Sequence, residues 1–297
     1  MKWRSMVLAM FALIAASPPV AAAERGNPLD ALTEAQKDAL AARIAAGTPR
    51  KPRVLVIGAV RGFHHESVSD AMTAFAVMGQ ESGLYDAELR TDFDLINPRG
   101  GKKMRFGFIP EGLADFDALV LVNTTGEWGL DEEARKALLG FVHESGKSIV
   151  GVHGALDANH SWPAYAELLG AGFGGHPLNT VDRPAITFPL VNEAPASPIT
   201  RHWPQYFSHQ NELYLPKGLS RAKARVLLRI DQDRIATGPA GTSDIPVAWT
   251  HSYGAGRVFY SSIGHTRRSW ADPEVRRMYL EAMRWALGYT RDPGGEP

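Results

Sequence analysis

Apolar residues follow two spacings in the first half of the chain. Arg53 to Val60 is a nearly continuous apolar run, as in a parallel strand buried on both faces. It exits into Arg61-Gly62-Phe63-His64-His65-Glu66-Ser67, and helical spacing then continues to about Ser82. Tyr85 to Arg90 predicts a weaker second strand, Asp117 to Asn123 a third and Ser148 to His153 a fourth. Before the fourth strand, Asp131 to Ser145 places Leu138, Phe141 and Val142 on one face of a helix. Thr91 to Phe116 is long, polar and glycine-containing and predicts a loop. This alternation predicts an α/β fold with a doubly wound, mostly parallel sheet.

The second half predicts more strand. A short helix begins at Trp162-Pro163-Ala164-Tyr165 and ends at Gly170, and Ala185 to Val191 and Arg225 to Ile230 have strand composition. Val247 to His251 and Arg257 to Ser261 flank Ser252-Tyr253-Gly254-Ala255-Gly256, which has hairpin composition. A helix over Pro273 to Leu287 aligns Val275, Met278, Ala282 and Trp285, and a frayed tail is expected over residues 291–297.

Ahead of the first strand, Lys2 and Arg4 precede an apolar run from Met6 to Ala16, with Val20-Ala21-Ala22-Ala23 after it. That order predicts a signal peptide over residues 1–23 and a periplasmic or secreted mature protein. Residues 24–52 then form an extension whose helical spacing runs from Ala31 to Ala46, and the main domain is expected over 53–290.

Composition narrows the function classes. Lys plus Arg and Asp plus Glu number 32 each, and removing the leader with Lys2 and Arg4 leaves a slightly acidic mature chain. Such a surface gives no reason to expect nucleic acid, or a membrane after leader cleavage, as a partner. The chain has no cysteine, which excludes disulfides and thiol acyl transfer. Gly58-Ala59-Val60-Arg61-Gly62 lacks the three-glycine dinucleotide spacing, so no nucleotide cofactor is expected.

Ten histidines remain. His65 comes after the first strand and His153 ends the fourth in Gly151-Val152-His153-Gly154-Ala155; His176 lies in Gly174-Gly175-His176-Pro177 and His265 in Gly264-His265-Thr266. Carboxyl ends of parallel strands share one edge, so at least two of these rings are expected to meet there. Two uses compete. Neutral imidazoles at 65, 153, 176 and 265 would ligate a divalent ion such as zinc, manganese or iron. They would equally serve as direct base and acid, with His153, His65 and Glu212 as catalytic groups. His64 and His65 cannot both face inward in an extended segment. His143 and His202 are read as surface groups. Asp157 is placed to orient His153 or to cap the next segment. Trp162, with Tyr165, is expected to offer an apolar platform for a sugar ring.

Phe63-His64-His65-Glu66-Ser67, Gly151-Val152-His153-Gly154-Ala155, Trp162-Pro163-Ala164-Tyr165, Gly175-His176-Pro177, Asn211-Glu212-Leu213-Tyr214, Trp249-Thr250-His251 and Gly264-His265-Thr266 together resemble the ThuA-like, trehalose-utilisation family. The resemblance covers about residues 53 to 289. It implies a flavodoxin-like sheet of the class I glutamine amidotransferase type, with His153 where those enzymes carry a nucleophilic cysteine. It also implies a carbohydrate substrate, contacted by Trp162, Tyr214, Glu66 and His251 at positions that match the family's, with a link to disaccharide breakdown through 3-keto sugars. The family's usual Arg-His-Asp-Ser is His64-His65-Glu66-Ser67 here, and its frequent Asp-Glu-x-Tyr is Asn211-Glu212-Leu213-Tyr214. The expected activity is cleavage or elimination of 3-keto glycosides. The alternatives are a metal-dependent sugar hydrolase or isomerase, and a carbohydrate-binding protein without turnover.

Overall fold

Valine and leucine alternate along the first strand, β1 (Arg53–Ile57), and the two sets of side chains enter different cores. The computed structural model describes residues 50–96, 103–104, 107–108, 112–177, 186–234 and 244–293. The expected signal peptide, the helix expected over residues 31–46 and the last four residues lie outside them.

The chain continues through α1 (Val68–Ser82), β2 (Asp86–Arg90), a small hairpin of β3 (Lys103–Met104) and β4 (Gly107–Phe108), and β5 (Ala118–Val122). It then forms α2 (Glu132–His143), β6 (Ser148–Val152), a 3-10 turn (His153–Leu156), α3 (Pro163–Leu169) and β7 (Gly172–Phe173). The rest is β8 (Ile186–Asn192), β9 (Tyr206–Asn211), β10 (Pro216–Lys217), β11 (Ala224–Ile230), β12 (Pro246–Tyr253), β13 (Gly256–Ser261), α4 (Arg267–Ala271) and α5 (Pro273–Ala286).

Nine strands form one sheet in the order β2-β1-β5-β6-β13-β12-β11-β8-β9. Pairing is parallel from β2 to β13 and antiparallel from there to β9. The expected mixed α/β architecture with a β-rich second half is present, and the antiparallel strands extend the same sheet. Val54, Val56, Val120 and Val150 pack under α1 and α5 on one face, while Leu55, Leu119, Leu121 and Ile149 pack under α2 and α3 on the other. Strands covered on both faces need apolar residues at every position, which explains the continuous runs at β1, β5 and β6.

Two sequence expectations need correction, and one strand of the sheet lies where the sequence predicts none. The stretch 91–116, expected to be a loop, contains 3-10 turns at Asp94–Ile96 and Leu113–Asp115 besides the β3–β4 hairpin. β9 has no apolar face to announce it, because only Asn211 among its residues is buried. The tail beyond Tyr289 is anchored as far as Asp292, which is buried, accepts from Ser197 Oγ at 2.9 Å and pairs with Arg225. Among the described residues no helix is long and apolar enough to cross a membrane.

The β12–β13 hairpin turns on Gly254-Ala255, with Tyr253 opposite Gly256. Gly254 has φ +60°, and no positive φ occurs at Ala255, as in a type II′ turn. At Gly256 an added Cβ would stand 2.2 Å from the carbonyl of Lys147 and 2.5 Å from that of Val142. Backbone oxygens have no rotamer by which to withdraw. Gly256→Ala is therefore expected to lower unfolding stability by about 2 kcal/mol or more, within the usual range for overpacking. A urea midpoint unchanged from wild type would refute this.

Candidate metal centre

The parallel strands β1, β5, β6 and β13 point the same way, so their exits gather at one edge of the sheet. His65 leaves β1, Asn123 comes directly after β5, His153 directly after β6, and Ser262 to His265 after β13. Each antiparallel pairing reverses direction, so β9 also ends at this edge, and Glu212 is the next residue.

His153 makes the sharpest turn. Its φ of +41° is left-handed, a conformation that costs a residue with a Cβ on the order of 1–3 kcal/mol. Neighbouring groups hold it there. Tyr260 Oη donates to the His153 carbonyl at 2.8 Å, and Gly154 N donates to Asn123 Oδ1 at 3.0 Å. A side chain at Gly154 would meet the Asn123 Cα at 3.0 Å and the His65 ring at 3.1 Å, so the glycine permits the approach of two strand exits. Ser67 Oγ lies 2.8 Å from the carbonyls of both Gly264 and His265 and accepts from Asn123 Nδ2 at 3.0 Å. The exits of β1, β5 and β13 are thereby joined through one hydroxyl.

Inside this frame His65, His153, Glu212 and His265 are all buried. They form a group in which one ligand atom from each lies within 4.8 Å of the others, and it is the one such group among the described residues. His153 Nε2 is 3.1 Å from His65 Nε2 and 3.1 Å from His265 Nδ1; Glu212 Oε2 is 3.0 Å from His265 Nδ1 and 3.5 Å from His153 Nε2. On the opposite side of its ring, His153 Nδ1 donates to the Ser262 carbonyl at 2.8 Å. Its Nε2 therefore carries a lone pair toward the cluster when the ring is neutral.

Burial keeps the rings of His65 and His153 neutral. It is the largest influence lowering His65, to about 2, helped by His153 and His265. It also lowers His153, to about 4, against the opposing pull of Glu212. Burial alone would raise the Glu212 carboxyl, but the imidazoles of His153, His176 and His265 around it bring it well below the ordinary carboxylate range. A carboxylate and neutral imidazole nitrogens thus face one another out of water.

Those atoms have the spacing of ligands around one cation. Bonds of about 2.1 Å to four tetrahedral ligands put those ligands about 3.3–3.4 Å apart, and bonds of this length are usual for zinc with nitrogen or carboxylate oxygen. The Ser262 carbonyl fixes the tautomer of His153 as an outer-shell partner does. Asn211 Oδ1 accepts from the His265 backbone N–H at 3.3 Å while Asn211 Nδ2 donates to Ser269 Oγ at 2.8 Å. Where the resembling family often has aspartate, this chain's asparagine therefore places the segment that carries His265. His65 Nδ1 is the exception: it is buried and has no hydrogen-bond partner among the described residues.

Of the other expected site residues, two adjoin the cluster. His176 Nε2 lies 3.4 Å from Glu212 Oε2 at the more open rim, and Tyr214 Oη lies 3.4 Å from His65 Nε2 with its ring 4.2 Å from that of His153. Three have their contacts elsewhere. Glu66 is exposed, as is His64, so the inward position of that pair belongs to His65. Trp162 is buried in the core, stacked on Tyr165 at 5.9 Å, and so offers no open platform. His251 contacts the carbonyls of Leu168 and Ser252 at 3.0 and 3.1 Å and ties β12 to the end of α3.

Two smaller expectations also change. His202 has a buried side chain against the Glu274 carbonyl, and burial lowers its pKa. Asp157 contacts His160, at 2.8 Å. Sequence reasoning gave no weight to Asn123 and Tyr260, although the polar Asn123-Thr124-Thr125 at a strand exit is a readable signal. It also gave no role to Phe63, among the described residues the most exposed large apolar side chain, whose ring meets His65 edge-on at 4.8 Å.

The comparisons agree with this architecture. The ThuA family model, described as trehalose utilisation, matches residues 53–286. A ThuA-like protein from Bacteroides uniformis has the same fold, with TM-score 0.63 and 19% identity over 84% of this chain and 96% of that one. Another from Parabacteroides merdae gives 0.60 and 18% over 84% and 95%. No curated protein shows significant similarity to the sequence. With the family model spanning the whole sheet and all the clustered residues, the chain belongs to the ThuA family, whose description is trehalose utilisation.

Proposed function

We propose that the protein is an exported enzyme that binds one divalent ion through His65, His153, His265 and Glu212 and eliminates the leaving group from 3-keto glycosides. The observation that carries this reading is the meeting of three imidazole nitrogens and one carboxylate oxygen, buried and spaced for a single cation. Three nitrogens and one oxygen suit zinc, with iron and manganese as alternatives. Strand order supports the finer fold reading: numbered among themselves, the parallel strands run 2-1-3-4-5, the flavodoxin-like arrangement shared by amidotransferase-type sheets.

When bound, the ion supplies a Lewis acid for the ketone at C3 of the sugar. The protein's own groups then move the protons. A C3 ketone acidifies the C2 proton, and a base must reach it from the open side of the site. His153 has no exposed surface, so its role here is ligation and not proton abstraction. His176 stands at the rim. Donation of its Nε2–H to Glu212 leaves the Nδ1 lone pair to accept the C2 proton. Phe63 beside His65 and Phe173, 4.6 Å from Tyr214, offer apolar faces to the sugar in place of Trp162.

Untagged wild type is expected to carry about one ion per chain by elemental mass spectrometry, and His153→Ala and His265→Ala to carry almost none. Asn211→Ala, which removes only the support of His265, is expected to weaken the ion by about 10–100-fold, as losses of outer-shell partners do. Metal-free wild type that stays so after incubation with zinc, manganese and iron would overturn the centre.

Acid should destabilise the chelated protein. His153 is depressed to about 4 in the folded state and returns to about 6.5 on unfolding, so the unfolded chain binds the extra proton between these values. Stability present above pH 6.5 is lost as pH falls toward 4. The fall in Tm over that window is expected to be shallower in His153→Gln, and equal slopes would count against a neutral buried ring.

With 3-keto glucosides in deuterated water, His176→Gln is expected to slow C2 proton removal by about 100-fold or more while leaving metal content unchanged. Unchanged rates would remove His176 from the role of base.

A further inference from the structure

Beyond the cluster, the chain from Asp157 to Ser161 is fastened to residues 126–128. Gly126 N donates to the Asp157 carbonyl at 2.9 Å, Asn159 N to the Gly126 carbonyl at 3.1 Å, and Trp128 N to Asn159 Oδ1 at 3.1 Å. The Glu127 carboxylate accepts from Ser161 N at 3.0 Å and from Ser161 Oγ at 2.6 Å. Asn159 is left-handed, with φ +50°. A segment so firmly held, at the expense of backbone strain, commonly presents something.

What it presents is an imidazole. His160 is half exposed, and its Nε2 lies 2.8 Å from Asp157 Oδ1. An exposed ion pair of this kind contributes little to stability, so stability does not explain the anchoring. Position is the more informative property. Asp157 is the fourth residue after His153 on the same turn, and it is within electrostatic reach of Glu212 and His176. The His160 ring lies 6.3 Å from Phe173, and Phe173 packs on His176 at 5.4 Å. Two imidazole–carboxylate pairs, Glu212 with His176 and Asp157 with His160, thus flank one phenylalanine ring.

We infer that His160, oriented by Asp157, is the general acid that protonates the departing glycosidic oxygen; this assignment rests on the elimination proposed above. The proton at C2 passes to His176, and the electron pair it leaves forms the C1=C2 bond as the C1–O bond breaks. The pair from C1–O goes to the glycosidic oxygen, which takes a proton from Nδ1 of cationic His160. Asp157 accepts the Nε2–H throughout and holds the ring with Nδ1 toward the leaving oxygen. The products are an alcohol and a 3-keto sugar unsaturated between C1 and C2. Water then takes one proton from His176 and returns one to His160, so nothing is oxidised or reduced.

The test compares two 3-keto glucosides, one with a methyl and one with a 4-nitrophenyl leaving group. Methoxide must be protonated as it departs, whereas 4-nitrophenolate leaves unaided. His160→Gln is expected to lower kcat/KM for the methyl compound by about 100-fold or more and for the nitrophenyl compound by less than about threefold. Asp157→Asn is expected to show the same selectivity with a smaller loss. Melting curves and metal content should match wild type, since neither side chain is a ligand or a core residue. Equal losses on both substrates, or no loss on either, would overturn the role of His160 while leaving the elimination intact. A wild-type protein that turns over neither compound would overturn the elimination and this assignment together.

Discussion

Glu212, His65, His153 and His265 confront the fold with an electrostatic problem that their surroundings do not remove. A carboxylate and neutral imidazoles share a buried space in which like-signed atoms lie 3.0–3.5 Å apart. Lone pairs brought together out of water repel unless a proton or a cation lies between them. His153 has no proton to give there, because the Ser262 carbonyl already uses the one N–H of its neutral ring, so the N–H groups of His65 and His265 or a cation must fill the space beside its Nε2. The left-handed backbone at His153, the bare Cα of Gly154 and the hydroxyl of Ser67 serve to hold this arrangement.

The two halves of the sheet contribute differently. Its parallel half brings the exits of β1, β6 and β13 to one edge, as in other open α/β sheets. The antiparallel half brings β9 round to point the same way and so delivers the carboxylate. Without that extension the site would hold three histidines and no acid. The chain's family is described as trehalose utilisation, and the Bacteroides and Parabacteroides proteins share its fold.

Much of the arrangement is legible without coordinates. The apolar runs of β1, β5 and β6 are continuous because both faces are covered, and that reading needs only composition. His65, His153, His176 and His265 stand out because glycines or strand ends adjoin them, and Glu212 by its polar and aromatic neighbours. Other features leave no trace in composition. The partner of His153 is a backbone carbonyl, which any residue at 262 would supply. Trp162 misleads because an indole looks the same in sequence whether it lines a cleft or fills a core. β9 escapes notice because an edge strand with polar side chains lacks the alternation that marks a half-buried one.

The spacing of the clustered residues along the chain has a further consequence. His153 meets His65 across 88 residues and His265 across 112, so the cluster forms only when distant parts of the chain have already been brought together. An ion held there would act as a clasp on several long loops at once, with the loop-closure entropy of a disulfide network in a chain that has no cysteine. Domain integrity and site occupancy would then be a single equilibrium, and a chain cut between any two of these points would loosen both together.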